Sequence, residues 1–248
     1  MIINIARKEL KSLFSSPMGW VVLALLQFIF GLFFQEQINE YFQTMSGIVR
    51  PEERLGVTEF IGNNIFGIAS FIMLFAVPLL SMRMISDERR QQTLTFLFSA
   101  PLSLTDIVLG KFFGLVTFLS ISILLVVAMM LSLNFWSDVD LGYILANAIG
   151  LWFLVASFCA LGVYVSSLTQ QPVVAAIISF IALFALLILD HFSGADTDSP
   201  IAYLSLMKHF QPFSRGLVDT RDFAYFFLFI ITFLTLTVRR LDADRLRG

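Results

Sequence analysis

The sequence predicts an all-α integral membrane protein with six transmembrane helices. Of its 248 residues, 58% are hydrophobic and 28 are Phe. Its mean hydropathy of +0.85 lies far outside the range of soluble globular domains. The apolar residues form long blocks, and the charged residues are concentrated in the gaps between them. Blocks of this length are typical of helices that cross a bilayer. We therefore predict one transmembrane domain that covers residues 1–248.

The first predicted element is an amphipathic helix over residues 1–14. Its apolar residues share one face at helical spacing, and its cations lie opposite them. Such a helix lies along the membrane surface. The cations expected to anchor it there are Arg7, Lys8 and Lys11. A cleaved signal peptide is the alternative, but no small-residue cleavage site follows the first apolar block.

The six predicted spans follow the surface helix in order. They cover about 18–34, 61–85, 107–133, 141–168, 173–189 and 223–238. Pro78 predicts a kink in the second span, where Gly62 and Gly67 permit close approach of a neighbouring helix. Pro172 suits the first position of the fifth helix.

The connection 190–222 between the fifth and sixth spans is polar but rich in apolar residues. Phe210 and Phe213 alternate there with cations such as Lys208 and Arg215. This pattern predicts one or two short amphipathic helices that dip partly into the outer face of the membrane.

A further short helix is predicted between the second and third spans, over residues 86–100. Ser86 is expected to be its N-cap, with Asp87 and Glu88 in the first turn, where the helix dipole favours carboxylates. Pro101 ends the helix. The sequence therefore predicts a short amphipathic helix followed by a turn.

This short helix carries an apolar tip made of Leu94, Leu97 and Phe98. A plain linker between membrane spans needs no such tip. The helix either docks on another protein or lies among the lipid headgroups, and the residues alone favour neither. Ser103 is expected to begin the next helix with Asp106 three positions on, as in a capping box.

The distribution of basic residues predicts the orientation, because cytoplasmic segments carry an excess of Lys and Arg. With the N-terminus in the cytoplasm, the inside segments hold eleven of the basic residues and the outside segments hold five. The outside five are Arg50, Arg54, Lys208, Arg215 and Arg221. Both termini and the segment 86–100 are therefore predicted to be cytoplasmic.

Several kinds of chemistry are not indicated. The central parts of the predicted spans hold no charged side chain, which disfavours an ion-coupled carrier and an intramembrane enzyme. Gly110-Lys111 is similar to the end of a phosphate loop. However, Thr105 stands where that motif requires Gly, and Phe112 stands where Ser or Thr binds magnesium. Any energy for uphill transport is therefore expected from another chain.

No metal or cofactor site is predicted. Cys159 is the single cysteine and lies in an apolar block, so it cannot form a disulfide within the chain. His191 and His209 share one polar gap but have no third ligand in register, which makes a metal site a weak hypothesis.

One segment resembles the signature of ABC type-2 exporter permeases. The matching positions are Asp87-Glu88, Thr93-Leu94, Leu97, Pro101-Leu102-Ser103 and Gly110-Lys111. The layout of the whole chain is similar as well, from the surface helix to the six spans. Gln92 departs from the pattern, because the family usually has Gly there. The late segment 208–226 is similar to the permeases named for bacterial gliding motility.

This resemblance implies a non-enzymatic permease subunit of an exporter in the bacterial inner membrane. A second permease chain, identical or different, and separate ABC ATPase subunits that bind ATP and magnesium would complete it. The segment 86–100 would be the coupling helix, held in a groove of the ATPase. The coupling residues would be Asp87, Glu88, Arg89, Arg90, Thr93, Leu94, Leu97, Phe98 and Pro101.

The resemblance also implies a role for Lys111, which would anchor the third span at the headgroups. The alternative function is a non-transporting unit that transmits force or a signal to a periplasmic partner through 190–222. The transported substrate stays open in either case.

Overall fold

A computed structural model of the chain describes residues 1–45, 56–92, 103–192 and 202–246. Every regular element in these ranges is helical, which confirms the predicted all-α class. The α-helices are α1 (Ile2–Ser15), α2 (Pro17–Met45), α3 (Val57–Ser81), α4 (Arg83–Arg90), α5 (Leu104–Ser132), α6 (Leu141–Leu168), α7 (Pro172–Phe192), α8 (Leu206–Ser214) and α9 (Thr220–Arg245). Two 3-10 turns, Leu133–Phe135 and Ala202–Leu204, follow α5 and precede α8.

Six helical stretches in the described part are long and apolar enough to cross a membrane, as predicted. They are α2, the run formed by α3 and α4, α5, α6, α7 and α9. The run from Val57 to Arg90 has 34 residues. At 1.5 Å per residue it is about 50 Å long, well beyond a hydrocarbon core of about 30 Å. The end of this run therefore projects past the apolar part of the bundle.

The bundle is organised around α6, the most buried of the spans. Small residues let its neighbours approach closely. A Cβ on Gly162 would lie 2.2 Å from the Oγ of Ser81 on α3, and a Cβ on Gly150 would lie 2.4 Å from the Cβ of Phe213 on α8. Because neither site has room for a side chain, these glycines set the distances between α6 and its neighbours. In contrast, α2, α7 and α9 expose most of their apolar surface.

Several helix bounds differ from those predicted. Ser86 is not an N-cap, because α4 begins at Arg83 and the Ser86 hydroxyl donates within the helix to the Met82 carbonyl. Asp87 and Glu88 therefore lie beyond the first turn of α4. The helix that holds the last predicted span continues past 238, since α9 runs to Arg245.

Other local predictions are confirmed. The Ser103 Oγ caps α5 by accepting from the Asp106 N–H at 3.0 Å. Pro172 is the first residue of α7. Gly62 does meet a neighbour, since a Cβ there would lie 2.7 Å from the Tyr143 ring, whereas Gly67 has nothing within 4 Å.

Pro78 lies inside α3, at the predicted kink. Regular helix is interrupted four residues later at Met82, and α4 starts immediately after it. The missing Pro78 N–H leaves the Leu74 carbonyl without its helical donor, whereas the Met82 N–H still bonds to the Pro78 carbonyl at 3.0 Å. The interruption at Met82 instead coincides with the Ile85 and Ser86 N–H groups, which bond to the Ser166 hydroxyl.

The predicted external helix is α8, and it packs against the bundle. Leu206, Phe210 and Phe213 are buried on it. The His209 Nδ1 lies 2.7 Å from the Asp222 Oδ1 at the start of α9, and its Nε2 lies 3.1 Å from the Tyr203 carbonyl oxygen. At the other end of α8, the Tyr143 hydroxyl donates to the Ser214 carbonyl at 2.6 Å. The helix is thus fastened to both α6 and α9.

Candidate functional site

One end of the bundle collects charged side chains from four helices. We call it the charged end and define it by Glu9, Glu88, Arg89, Lys111 and Asp244. These residues lie on α1, α4, α4, α5 and α9, respectively. It is also the end at which the 34-residue run of α3 and α4 stops.

The surface helix α1 reaches the charged end because it crosses α5 over two glycines. A Cβ on Gly110 would lie 2.6 Å from the Ile5 Cβ, and one on Gly114 would lie 2.8 Å from the Glu9 Cβ. Two glycines four residues apart share one helix face, so they form a flat strip on α5. The close approach places Glu9 beside Lys111.

Lys111 is the centre of a buried ion network. Its ammonium donates to the Glu88 Oε1 at 2.6 Å and to the Glu9 Oε1 at 3.1 Å, and its side chain is 3% exposed. Its ammonium is therefore directed into the bundle, whereas the anchoring role at the headgroups stays a prediction. A buried charge is tolerated when it is paired and hydrogen-bonded, and here the two carboxylates come from α1 and α4. Lys111 thus joins three helices.

A second ion pair joins α4 to the last helix. The Arg89 guanidinium bonds to the Asp244 carboxylate, and both side chains are largely buried. Arg240, one turn earlier on α9, lies 3.8 Å from the same carboxylate. The extension of α9 past the predicted end of the span is what brings Asp244 to Arg89.

The start of α4 is held by Ser166, near the end of α6. The Ser166 hydroxyl accepts from the Ile85 and Ser86 N–H groups, both at 3.1 Å, and donates to the Met82 carbonyl at 2.9 Å. One side chain of the central helix therefore bridges the break between α3 and α4.

We expect Ser166→Ala to lower the stability of the protein. The change removes the acceptor of two buried N–H groups, which should reduce the free energy of unfolding by about 1 to 2 kcal/mol. Thermal melting of the purified protein in detergent measures it. Ser167→Ala is the matched control, because the Ser167 hydroxyl donates only within its own helix, to Tyr164. Equal melting temperatures for the two variants would contradict the bridging role.

The predicted coupling residues fall into two groups. Asp87, Glu88, Arg89 and Arg90 lie on α4, and Asp87 pairs with Arg90 at 3.3 Å. Glu88 and Arg89 face the bundle and are engaged there. The other predicted coupling residues, Thr93, Leu94, Leu97, Phe98 and Pro101, lie outside the described residues. The predicted helix 86–100 is therefore seen only over its first part.

The predicted surface cations Arg7, Lys8 and Lys11 are exposed on α1. The apolar face predicted for this helix is largely confirmed, since Leu10 and Leu13 pack against the core. Ile3 at its start is 80% exposed, and Ile5 contacts α5 instead.

Gln92 has a φ of 55°, in the left-handed region that favours glycine. This is the position at which the sequence departs from the resembled motif. The backbone turn associated with glycine is therefore present here with glutamine, directly after α4.

Glu9, Ser166, Asp244 and the glycine pair on α5 were missed from sequence. Two local signals were available. Gly110 and Gly114 have the spacing of a helix-packing motif. Arg240 and Asp244 have the i,i+4 spacing of an ion pair on a helix, which indicated that α9 continues. No local signal indicated Glu9 or Ser166, because their partners lie far away in the chain.

The described residues contain no group of three or more His, Cys, Asp or Glu side chains able to hold a metal ion. Within these ranges, the metal hypothesis for the histidines therefore has no structural support: His209 is occupied by Asp222 and Tyr203, and the His191 side chain lies outside the described part.

The fold and the charged end define a multi-pass α-helical membrane protein with an accessory surface helix packed against one span. The family model described as ABC-2 family transporter protein matches residues 3–241, and the chain belongs to this family. The resemblance found in the sequence is thereby confirmed, whereas the gliding-motility subgroup stays a prediction. No curated protein matches the chain.

Proposed function

We propose that this chain is the membrane subunit of an ATP-driven exporter, worked by a separate ABC ATPase that docks on the segment 86–100. The observation that supports the proposal best is the pairing of α4 with the rest of the bundle. Glu88 is joined through Lys111 to α1 and α5, and Arg89 is joined to α9. A force applied just after α4 therefore reaches three other helices through ionic contacts.

In this proposal the ATPase binds ATP and magnesium, and the permease binds neither. Closure of the ATPases moves the coupling segment, and α4 moves with it. The ion pairs make α1, α5 and α9 move together with α4, because separating the paired carboxylates and cations would leave buried charges without partners. The spans then change their tilt, and a path for the substrate opens.

The location and orientation follow from the basic residues. The segments predicted to lie inside, which include the charged end, hold eleven of the sixteen Lys and Arg residues, and such an excess on one side of a membrane marks the cytoplasmic side. We infer a multi-pass protein of the bacterial inner membrane with both termini in the cytoplasm. The apolar surfaces left exposed on α2, α7 and α9 support pairing with a second permease chain in addition to contact with lipid.

A second function is supported by the attachment of α8. Because Phe213 packs on Gly150 of α6 and His209 pairs with Asp222 of α9, movement of these spans carries α8 along. A unit built this way transmits force to a periplasmic partner without moving a substrate. Flux measurements in reconstituted vesicles with the ATPase present separate the two functions.

We expect Leu97→Asp to abolish association with the ATPase while the protein remains in the membrane. A carboxylate placed in an apolar socket loses its hydration without gaining a partner. Co-purification of an ABC ATPase with the tagged full-length chain from native membranes is the measurement. Leu217→Asp is the control, since Leu217 follows α8 and is 63% exposed. If the ATPase co-purifies with Leu97→Asp as it does with wild type, the docking role is wrong.

A further inference from the structure

A cleft lies between the surface helix and the second span, beside the charged end. It has a volume of about 310 Å³ and is bordered by α1, the bend after it, α3, α4 and Lys111. On α1 the residues that face it are Lys8, Glu9, Ser12 and Leu13, which form one stripe at i,i+4 spacing. Two of its lining residues, Glu9 of α1 and Glu88 of α4, are joined by Lys111.

The lining of the cleft is partly polar and partly apolar. Lys8, Ser12 and Arg83 are among its polar residues, and Met18 and Leu79 are among its apolar ones. The Leu79 side chain is exposed even though it lies on a membrane span. A site of this kind fits a molecule with a charged head and a hydrocarbon tail.

The charges in the cleft favour an anionic head. Two of its carboxylates, Glu9 and Glu88, already accept from Lys111, and the third, Asp87, pairs with Arg90. Neither Lys8 nor Arg83 forms an ion pair with any residue that the structure describes. The lining holds three cations and three carboxylates, and Arg90, which pairs with Asp87 from outside the lining, adds a fourth cation. Lys8 and Arg83 are thus the lining cations left to pair with the phosphodiester of an anionic head.

We infer from Trp20 that the cleft lies at the depth of lipid headgroups. Trp20, at the start of the first span, is exposed, and its indole N–H donates to the Phe14 carbonyl at 2.8 Å. Tryptophan is enriched at the level of the membrane interface. Helix α1 ends at Ser15 and α2 begins at Pro17, so the chain turns from the surface into the membrane at this level.

We propose that the cleft binds one anionic glycerophospholipid of the adjacent leaflet. Lys8 and Arg83 hold its phosphodiester, the hydroxyl of Ser12 lies beside it, and an acyl chain runs along Met18 and Leu79. The lipid contacts both α1 and the α3–α4 run, in the part of the cleft that the Lys111 side chain does not occupy. This site requires only the membrane setting and stands apart from the proposed ATPase partner.

The test uses the full-length protein in nanodiscs that contain equal amounts of phosphatidylglycerol and phosphatidylcholine. Native mass spectrometry counts the lipids retained after release from the nanodisc. We expect wild type to retain one phosphatidylglycerol, and Lys8→Gln/Arg83→Gln to reduce that retention about tenfold or more, since each basic residue near a membrane contributes to attraction of anionic lipid. Arg7→Gln/Lys11→Gln removes the same charge from α1 outside the cleft and should retain the lipid.

Two further measurements test whether the cleft binds a lipid or a free phosphate compound, and whether binding depends on the width of the cleft. Soluble glycerol 3-phosphate, which lacks acyl chains, should not displace the lipid, and displacement would overturn the proposal in favour of a free-phosphate site. Ser12→Phe narrows the cleft without changing its charge and should also lose the lipid. If wild type and the Lys8/Arg83 variant retain equal amounts of phosphatidylglycerol, the retained lipid is bulk lipid and the proposal is wrong. The same conclusion follows if the Arg7/Lys11 variant loses as much phosphatidylglycerol as the Lys8/Arg83 variant.

Discussion

Replacement of Lys111 by methionine is expected to destabilise the protein strongly. Glu9 and Glu88 would then face each other across a largely buried space without the ammonium to which both now bond. Removing one partner of a buried ionic group costs about 3 kcal/mol or more, because the remaining charge loses its compensation. The melting temperature in detergent should fall markedly, and coupling to the ATPase should fall with it.

A triple variant distinguishes uncompensated charge from a packing defect as the cause of the lost stability. Lys111→Met combined with Glu9→Gln and Glu88→Gln removes all three charges. It should be more stable than Lys111→Met alone, since no uncompensated charge remains. Lys11→Met is the matched control, because Lys11 is exposed on α1 and is no part of the network. If the triple variant melts below Lys111→Met, the network does not have the electrostatic role assigned to it.

Replacement of Gly110 by leucine is expected to lift the surface helix from α5. Even a Cβ at this position would lie 2.6 Å from the Ile5 side chain and 3.2 Å from the Ile2 carbonyl oxygen. Because the second of these contacts is backbone, α1 must move as a whole. Such overpacking costs about 1 to 3 kcal/mol, and the displacement also pulls Glu9 away from Lys111.

The displacement can be measured with a cysteine placed at Ile5, which is half-buried at the contact. The native Cys159 is fully buried in α6, so labelling in detergent reports the new thiol. We expect Gly110→Leu to increase the labelling rate at position 5. Gly67→Leu is the control, since a Cβ there has nothing within 4 Å. An unchanged labelling rate in the Gly110 variant would show that α1 does not depend on this contact.

The sequence was sufficient for the architecture and for the family. Long apolar blocks predict spans because a bilayer sets their length, and caps such as Ser103 act within a few residues of one helix end. The charged end was less predictable. Lys111 and Glu9 are about a hundred positions apart, and their pairing depends on how α1 crosses α5. Periodicity within one segment carries no information about such a crossing.

The burial of Lys111 was unexpected for the same reason. A lysine near the start of a span usually extends its ammonium to the headgroups, and local sequence offers no reason to expect otherwise. The surface helix covers this position, so the side chain turns inward to carboxylates instead. In the same way, Ser86 has the residue type of an N-cap, but the second span continues past it and places it inside a helix.

The break at Met82 gives α4 the geometry of a short arm. Its eight residues extend about 12 Å at 1.5 Å per residue, so a swing of about 10° at Met82 moves its far tip by about 2 Å. Ser166 bonds on both sides of that pivot, to the Met82 carbonyl and to the Ile85 and Ser86 N–H groups. A displacement of the tip by the proposed ATPase would therefore stretch the hydrogen bonds of Ser166, and the central helix α6 would respond to a movement made at the edge of the bundle.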